Sequence, residues 1–178
     1  NTNQKGAVGR MKIDEHFGKI IHEIESQLSN ESFGKEIISL VKESYTAGKT
    51  IEQSTFELVH SLFAEYGLVI LLPDNAALKN EFFNINSKEL NEQFSHRIVT
   101  ETIEAFPSEY KVQTSGREIN LFYLKDDLRE RISKEGSVYK VINTEIIFNE
   151  DEMLLELKSH PERFSPNVIL RPVFQELI

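Results

Sequence analysis

The amino-acid sequence predicts an α/β protein in which a helical N-terminal region leads to a small antiparallel β subdomain. Three patterns carry that reading. Apolar residues recur at helical spacing through the N-terminal third, one continuous apolar run fills residues 68–72, and short β-prone runs separated by turn residues follow Pro107.

Ile13, Phe17, Ile20, Ile21, Ile24 and Leu28 make one helical stripe, with charged residues and His between them. Phe33, Ile37, Val41 and Tyr45 make a second. That helix is expected to end near Gly48, whose missing Cβ suits a left-handed backbone. Thr50-Ile51-Glu52-Gln53 has the form of a capping box, so a third helix is expected from there through Leu58, Leu62 and Phe63 to Gly67. The run at 68–72, closed by Pro73-Asp74, reads as a strand buried on both faces. Strands of that kind belong to parallel sheets flanked by helices, and here this run points to a Rossmann-like layer. Helical patterning resumes at Ala76 and continues through Leu90, Phe94, Ile98, Thr102 and Phe106 until Pro107 ends it.

Beyond Pro107, residues 110–114, 119–124, 138–142 and 145–148 are the expected strands, with a charged stretch in the middle. Asn149, three residues before Glu152, signals a last full helix that stops before Pro161. The sequence thus divides into a mainly helical region, 1–106, and a β subdomain with a C-terminal helical segment, 107–178.

Composition narrows the function. With 39% hydrophobic residues and 12 Phe in 178 positions, the chain has enough apolar material for a core. Its 29 Asp and Glu outnumber 20 Lys and Arg, for a formal charge of -9, a field that opposes nucleic acid and anionic membrane surfaces as partners. A local Arg pocket for a small anion remains compatible with that field. The absence of cysteine excludes disulfides, a thiolate nucleophile and Cys-ligated metal, and with no signal-like or membrane-spanning run it favours a cytoplasmic location. A start at Asn1 and a stop at Ile178, inside helical patterning, read as a fragment of a longer chain.

No two of the five histidines lie three or four residues apart, so no helical metal site is expected. Gly6-Ala7-Val8-Gly9-Arg10 lacks the third glycine and the preceding strand of a dinucleotide-binding turn. Asp126, Asp127, Glu130, Asp151 and Glu152 read as solvated or helix-starting carboxylates. Two features stand apart. Asn120 lies in an otherwise apolar run, where burial demands hydrogen-bond partners from a structural bridge or from a ligand. Near the C-terminus, Ser165-Pro166 is expected to start a helix that Pro172 kinks, aiming Arg171 and Gln175 at an anionic or amide-bearing substrate.

The run PERFSPNVILRPVFQE, residues 161–176, resembles a signature of the bacillithiol cysteine-adding enzymes, in which a PERFSPNV-type run leads into an LRPxxQE-type run. Asn120-Leu121-Phe122-Tyr123, with Arg129 downstream, is similar to an NLF segment of that family. Tyr66-Gly67-Leu68-Val69-Ile70 is similar to its buried strand, and Gly9-Arg10-Met11 to a short family element. The resemblance implies a Rossmann-like core of nucleotidyl-transferase type with inserted connecting elements and a homodimer formed through a coiled-coil region. It also implies ligation of cysteine to glucosaminyl malate, with ATP as the energy source. Arg171, Gln175 and Asn120 are then the expected contacts to substrate or nucleotide. The family's N-terminal nucleotide-binding motifs and its glycine-rich stretch after the LRPxxQE run do not occur in this sequence, which argues against catalysis by this segment alone. The competing reading is a non-catalytic α+β interaction module that associates through its first three amphipathic helices.

Overall fold

The structure, a computed structural model, describes residues 5–177. It forms two compact units, Asn1–Leu72 and Pro73–Ile178.

The first unit holds α1 (Glu15–Leu28), α2 (Gly34–Ser44) and α3 (Ile51–Phe63). Asp14 starts α1 by accepting a hydrogen bond from the His16 N–H at 3.0 Å. The expected capping box starts α3: the Gln53 N–H donates to Thr50 Oγ1 at 3.2 Å and the Thr50 N–H to Gln53 Oε1 at 3.0 Å. A 3-10 turn, Ala64–Tyr66, follows, and Gly67 at φ 74° ends the helical run as expected. The strip before α1 is tied to the α2–α3 turn, where Ile13 N–H meets Lys49 O at 2.8 Å and Gly48 N–H meets Ile13 O at 3.0 Å.

Helix α2 begins later than its apolar stripe suggests. Phe33 takes a left-handed backbone (φ 63°) and stands exposed, so it belongs to the turn and not to the helix face. Gly34 is needed there because a Cβ would overlap the Leu28 carbonyl oxygen at the end of α1.

The run at 68–72 departs from expectation more sharply. It forms neither helix nor strand and pairs with no strand among the described residues, and Leu68, Val69 and Leu71 are exposed. A strand can be buried on both faces only when neighbours flank and cover it.

The second unit contains α4 (Ala76–Asn80), α5 (Phe83–Glu92) and α6 (Phe94–Glu104), followed by β1 (Leu121–Lys125), β2 (Leu128–Glu135), β3 (Val138–Val141) and β4 (Ile147–Asn149). Helix α7 (Glu150–Ser159), β5 (Phe164–Pro166) and α8 (Arg171–Leu177) complete it. The helical run expected to reach Pro107 unbroken is divided at Gln93, whose φ of 50° separates α5 from α6. The strands form one antiparallel sheet in the order β4-β3-β2-β1-β5. Alternation places Leu121 and Tyr123 of β1, Ile132 of β2, and Tyr139 and Val141 of β3 in the core with Leu90 of α5 and Met153 and Leu157 of α7. On the other face of the sheet, the Arg129 guanidinium lies 3.7 Å from the centre of the Phe122 ring.

Three β assignments need correction. The charged stretch is β2 itself, whose polar residues either reach solvent or pair. Its half-buried Lys134 meets Glu150 at 2.8 Å and lies over the Tyr139 ring. Residues 110–114 form no strand. Ser165-Pro166 closes the edge strand β5 instead of starting a helix, a place where proline's missing donor is tolerated. Pro172 is the second residue of α8 and therefore begins that helix without kinking it. The capping box expected at α7 is present, with Glu152 N–H to Asn149 Oδ1 at 2.9 Å and Asn149 N–H to Glu152 Oε2 at 2.8 Å.

Compactness divides the chain at Pro73, whereas patterning suggested Pro107. Phe82, Leu90 and Phe94, on or beside α5 and α6, pack into the core of the β-sheet, and that shared core outweighs the change from helical to β patterning. No helix among the described residues is long and apolar enough to cross a membrane.

Replacing Gly34 by Ala is expected to lower stability by about 1–3 kcal/mol, through the forced separation of α1 and α2. The urea midpoint of the chain measures this.

Candidate functional site in the C-terminal signature segment

The segment 161–176 runs through a 3-10 turn, Pro161–Arg163, then β5, a turn at 168–170 and α8. Most of its side chains are consumed by packing and polar pairing. Phe164 and Leu170 are buried, and Phe174 stacks on Phe82 with ring centres 4.1 Å apart. Arg163 donates to Glu156 Oε1 at 2.6 Å, and the Tyr123 hydroxyl donates to the same oxygen at 2.5 Å. His160 and Glu162 pair at 3.1 Å, while the Lys79 ammonium meets the Glu162 carbonyl at 2.9 Å and Asp74 at 2.7 Å.

Asn120 lies just before β1 and is fully buried. Its Nδ2 donates to Ser95 Oγ at 2.7 Å and to the Arg117 carbonyl at 2.8 Å. Its Oδ1 accepts from Arg117 N–H at 3.0 Å and from Asn167 Nδ2 at 2.7 Å. An amide side chain offers two donor hydrogens and two acceptor lone pairs, so all four positions are filled from within the protein. The Asn120 N–H donates to Glu89 Oε1 at 2.8 Å. The buried Glu89 carboxylate also receives Ser95 Oγ at 2.6 Å and Ser95 N–H at 3.2 Å, the latter in the first turn of α6.

Asn167 carries this network to the start of α8. Its N–H donates to the Asn120 carbonyl at 3.0 Å and its Oδ1 accepts from Ile169 N–H at 2.9 Å and Leu170 N–H at 3.3 Å. Arg171 and Gln175 follow, one turn apart and exposed, and neither side chain makes a hydrogen bond or ion pair among the described residues. The burial of Leu170 and Phe174 orients α8 and leaves the Arg171 and Gln175 side outward.

The structure therefore places Arg171 and Gln175 one turn apart on α8 and ties Asn120 to the turn before that helix through Asn167. Two concavities lie in this unit, the second of them reaching Ile169 of the signature segment. One, of about 490 Å³, is lined by Phe148, Glu152, Glu156, Ser159 and His160 among others. The second, of about 560 Å³, lies between α6 and residues 110–114. None of the three predicted site residues lines either. Glu89, Ser95, Asn167 and the Tyr123–Glu156–Arg163 cluster escaped the sequence reading. Only Tyr123, a hydroxyl-bearing residue inside the apolar run 121–124, hinted at them. No group of three or more potential metal ligands gathers among the described residues.

Burial alone would push the Glu156 carboxyl up, but the hydrogen bonds from Tyr123 and Arg163, with the charge of Arg163, outweigh it and hold the group below the ordinary carboxylate range. Tyr123 is pushed up, first by burial and then by its bond to Glu156. Ionised Glu156 thus stabilises the fold fully above its unfolded-chain value of about 4.3, and this contribution is lost as pH falls through the lower folded value. Tyr123 contributes fully below its unfolded-chain value of about 10, and this contribution is lost as pH rises from there through the higher folded value. In urea unfolding, the stability advantage of wild type over Glu156→Gln is expected to shrink as pH falls from about 6 to about 3. Asn120→Ala is expected to cost about 2–4 kcal/mol by stranding Ser95, Arg117 and Asn167 groups inside the fold, measured by the same unfolding at neutral pH.

The model for "Bacillithiol biosynthesis BshC, N-terminal Rossmann-like domain" matches residues 1–178. A protein of Flavobacterium johnsoniae named "Putative cysteine ligase BshC" is 43% identical over 178 residues, covering 100% of this chain and 33% of its own length. Proteins of the same name from Cytophaga hutchinsonii and Salinibacter ruber are 40% and 30% identical, over 99% and 96% of this chain and 32% of each of theirs. The chain thus spans about a third of the length of these relatives. The matched domain has the Rossmann-like class anticipated from the run at 68–72, and the antiparallel sheet is the expected small subdomain. The chain belongs to the bacillithiol biosynthesis BshC family, in the region of its N-terminal Rossmann-like domain.

Proposed function

We propose that this chain is part of a ligase that joins cysteine to glucosaminyl malate, and that α8 presents the residues that grip an anionic group of a substrate. Relatives named as cysteine ligases support the reaction class. The observation that carries the site is the outward pair Arg171 and Gln175, unused by the fold inside a segment whose other side chains largely are used. Joining a carboxyl group to an amine in water requires an energy source, and ATP is the substrate that would supply it. A guanidinium pairs bidentately with a carboxylate or phosphate, while the Gln175 amide offers one acceptor and two donor hydrogens to a neighbouring polar group. Asn120, saturated within the protein, enters as a positioning residue that holds Asn167 and hence the start of α8.

Arg171→Ala in a full-length protein carrying this chain is expected to lower product formation from cysteine, glucosaminyl malate and ATP by at least about tenfold while leaving the unfolding midpoint in place. Arg171→Lys keeps the charge but loses the planar fork and is expected to restore little. Wild-type turnover in Arg171→Ala removes Arg171 from the site.

A further inference from the structure

The sheet of the second unit has two faces of opposite character. One closes the core, and the other faces away from it. Alternation and register place Phe122 of β1, Arg129, Arg131, Ser133 and Glu135 of β2, and Val138 and Lys140 of β3 on that outer face. Arg129, Arg131 and Lys140 are cations, whereas Glu135 is the only carboxylate at an outward strand position and lies at the far end of β2. In a chain of formal charge -9 this is a local reversal of sign. Cations on the core side are neutralised: Lys134 meets Glu150 at 2.8 Å and Arg163 meets Glu156 at 2.6 Å. By contrast, the exposed Arg129, Arg131 and Lys140 make no ion pair and no side-chain hydrogen bond among the described residues. Arg129 is nevertheless held in place, with its guanidinium 3.7 Å from the centre of the Phe122 ring, so one cation of the row is preorganised.

We propose that this outer face is a docking surface for an acidic, extended segment of a partner polypeptide. Charge complementarity selects the sign of the partner, and spacing selects its form. Arg129 and Arg131 lie two residues apart on one strand, about 6.8 Å along it. Ser133 pairs with Lys140, which makes Lys140 the diagonal neighbour of Arg131 at about 7–8 Å. An extended polypeptide presents alternate side chains at the same interval, so carboxylates at every second position meet the cations in turn. Other occupants fit less well. A small anion would stay largely in water, because these three residues line neither concavity of this unit. Single-stranded nucleic acid needs aromatic faces for stacking, yet Phe122 is the only aromatic residue at an outward strand position and Arg129 lies over its ring. The chain's overall charge also repels a polynucleotide. A second copy would have to offer acids already in use: in the run Glu150 to Glu152, Glu150 pairs with Lys134 and Glu152 closes the capping box of α7.

Fluorescence anisotropy with a labelled peptide of alternating Glu and Ser, about ten residues long, tests this on a full-length protein carrying the chain. The peptide is expected to bind, and raising the salt from about 0.05 to about 0.3 M is expected to weaken it. Arg131→Glu is expected to weaken binding at least about tenfold, while Lys158→Glu, which reverses an exposed cation on α7, leaves it unchanged. A peptide of the same composition with its Glu residues in one block is expected to bind several-fold more weakly, at about a fifth of the affinity or less. Absence of binding, equal binding of the two peptides, or equal loss in Arg131→Glu and Lys158→Glu would overturn the proposal. So would tighter binding of a single-stranded oligothymidylate that is lost in Arg131→Glu, which assigns the face to nucleic acid, or self-association lost in that variant, which assigns it to a second copy. Should Arg131→Glu fail to fold, the double change Arg131→Gln with Lys140→Gln is expected to show the same tenfold loss, at about that size, and wild-type binding in it counts against the face.

Discussion

The second unit depends on one buried polar node. Glu89, Ser95 and Asn120, from the end of α5, the start of α6 and the entry to β1, meet where water does not reach, and the half-buried Asn167, from the turn before α8, joins them through Asn120. A carboxylate so placed is tolerable only because each of its oxygens is met by donors, one of them an N–H at a helix start, where the helix dipole favours negative charge. The arrangement is directional in a way apolar packing is not. It fixes which residue of each element faces the others, and so sets the register in which β1 joins β5 and the angle at which α8 leaves the sheet.

The Tyr123–Glu156–Arg163 cluster does the same work one layer away. It joins β1, α7 and the 3-10 turn that precedes β5, and the shared oxygen of Glu156 draws a neutral and a cationic donor to one point. Between these two clusters the signature segment is held at Arg163 and at Asn167, and by Phe164 and Leu170 in the apolar core. What leaves the segment free to engage anything else is the outward side of α8. The candidate site is thus a surface whose rigidity comes from the buried groups beneath it.

Local sequence signals decide the structure where the interaction is local. Both capping boxes, the helix stop at Gly67 and the antiparallel character of the β subdomain follow from residues within a few positions of one another. Elsewhere distant partners decide. Strand β2 reads as a charged loop because its strand character depends on pairing with β1 and β3, not on its own composition. Pro172 reads as a kink because its place in α8 is set by where the Asn167 turn begins the helix. The sequence could single out Asn120 as a buried amide needing partners, but whether those partners were protein or ligand depended on residues far away in the chain.

By itself the sequence determined the α/β class, the family and the run of aliphatic residues at 68–72, because these are written in composition, periodicity and motif. Only the tertiary structure decided that Asn120 is saturated by Ser95, Arg117 and Asn167, that Glu89 is buried, and that Arg171 and Gln175 face outward together. The physical reason is that a polar group's role depends on whether donors and acceptors reach it before water does. That is settled by elements brought together from separate parts of the chain, and no local pattern encodes their meeting.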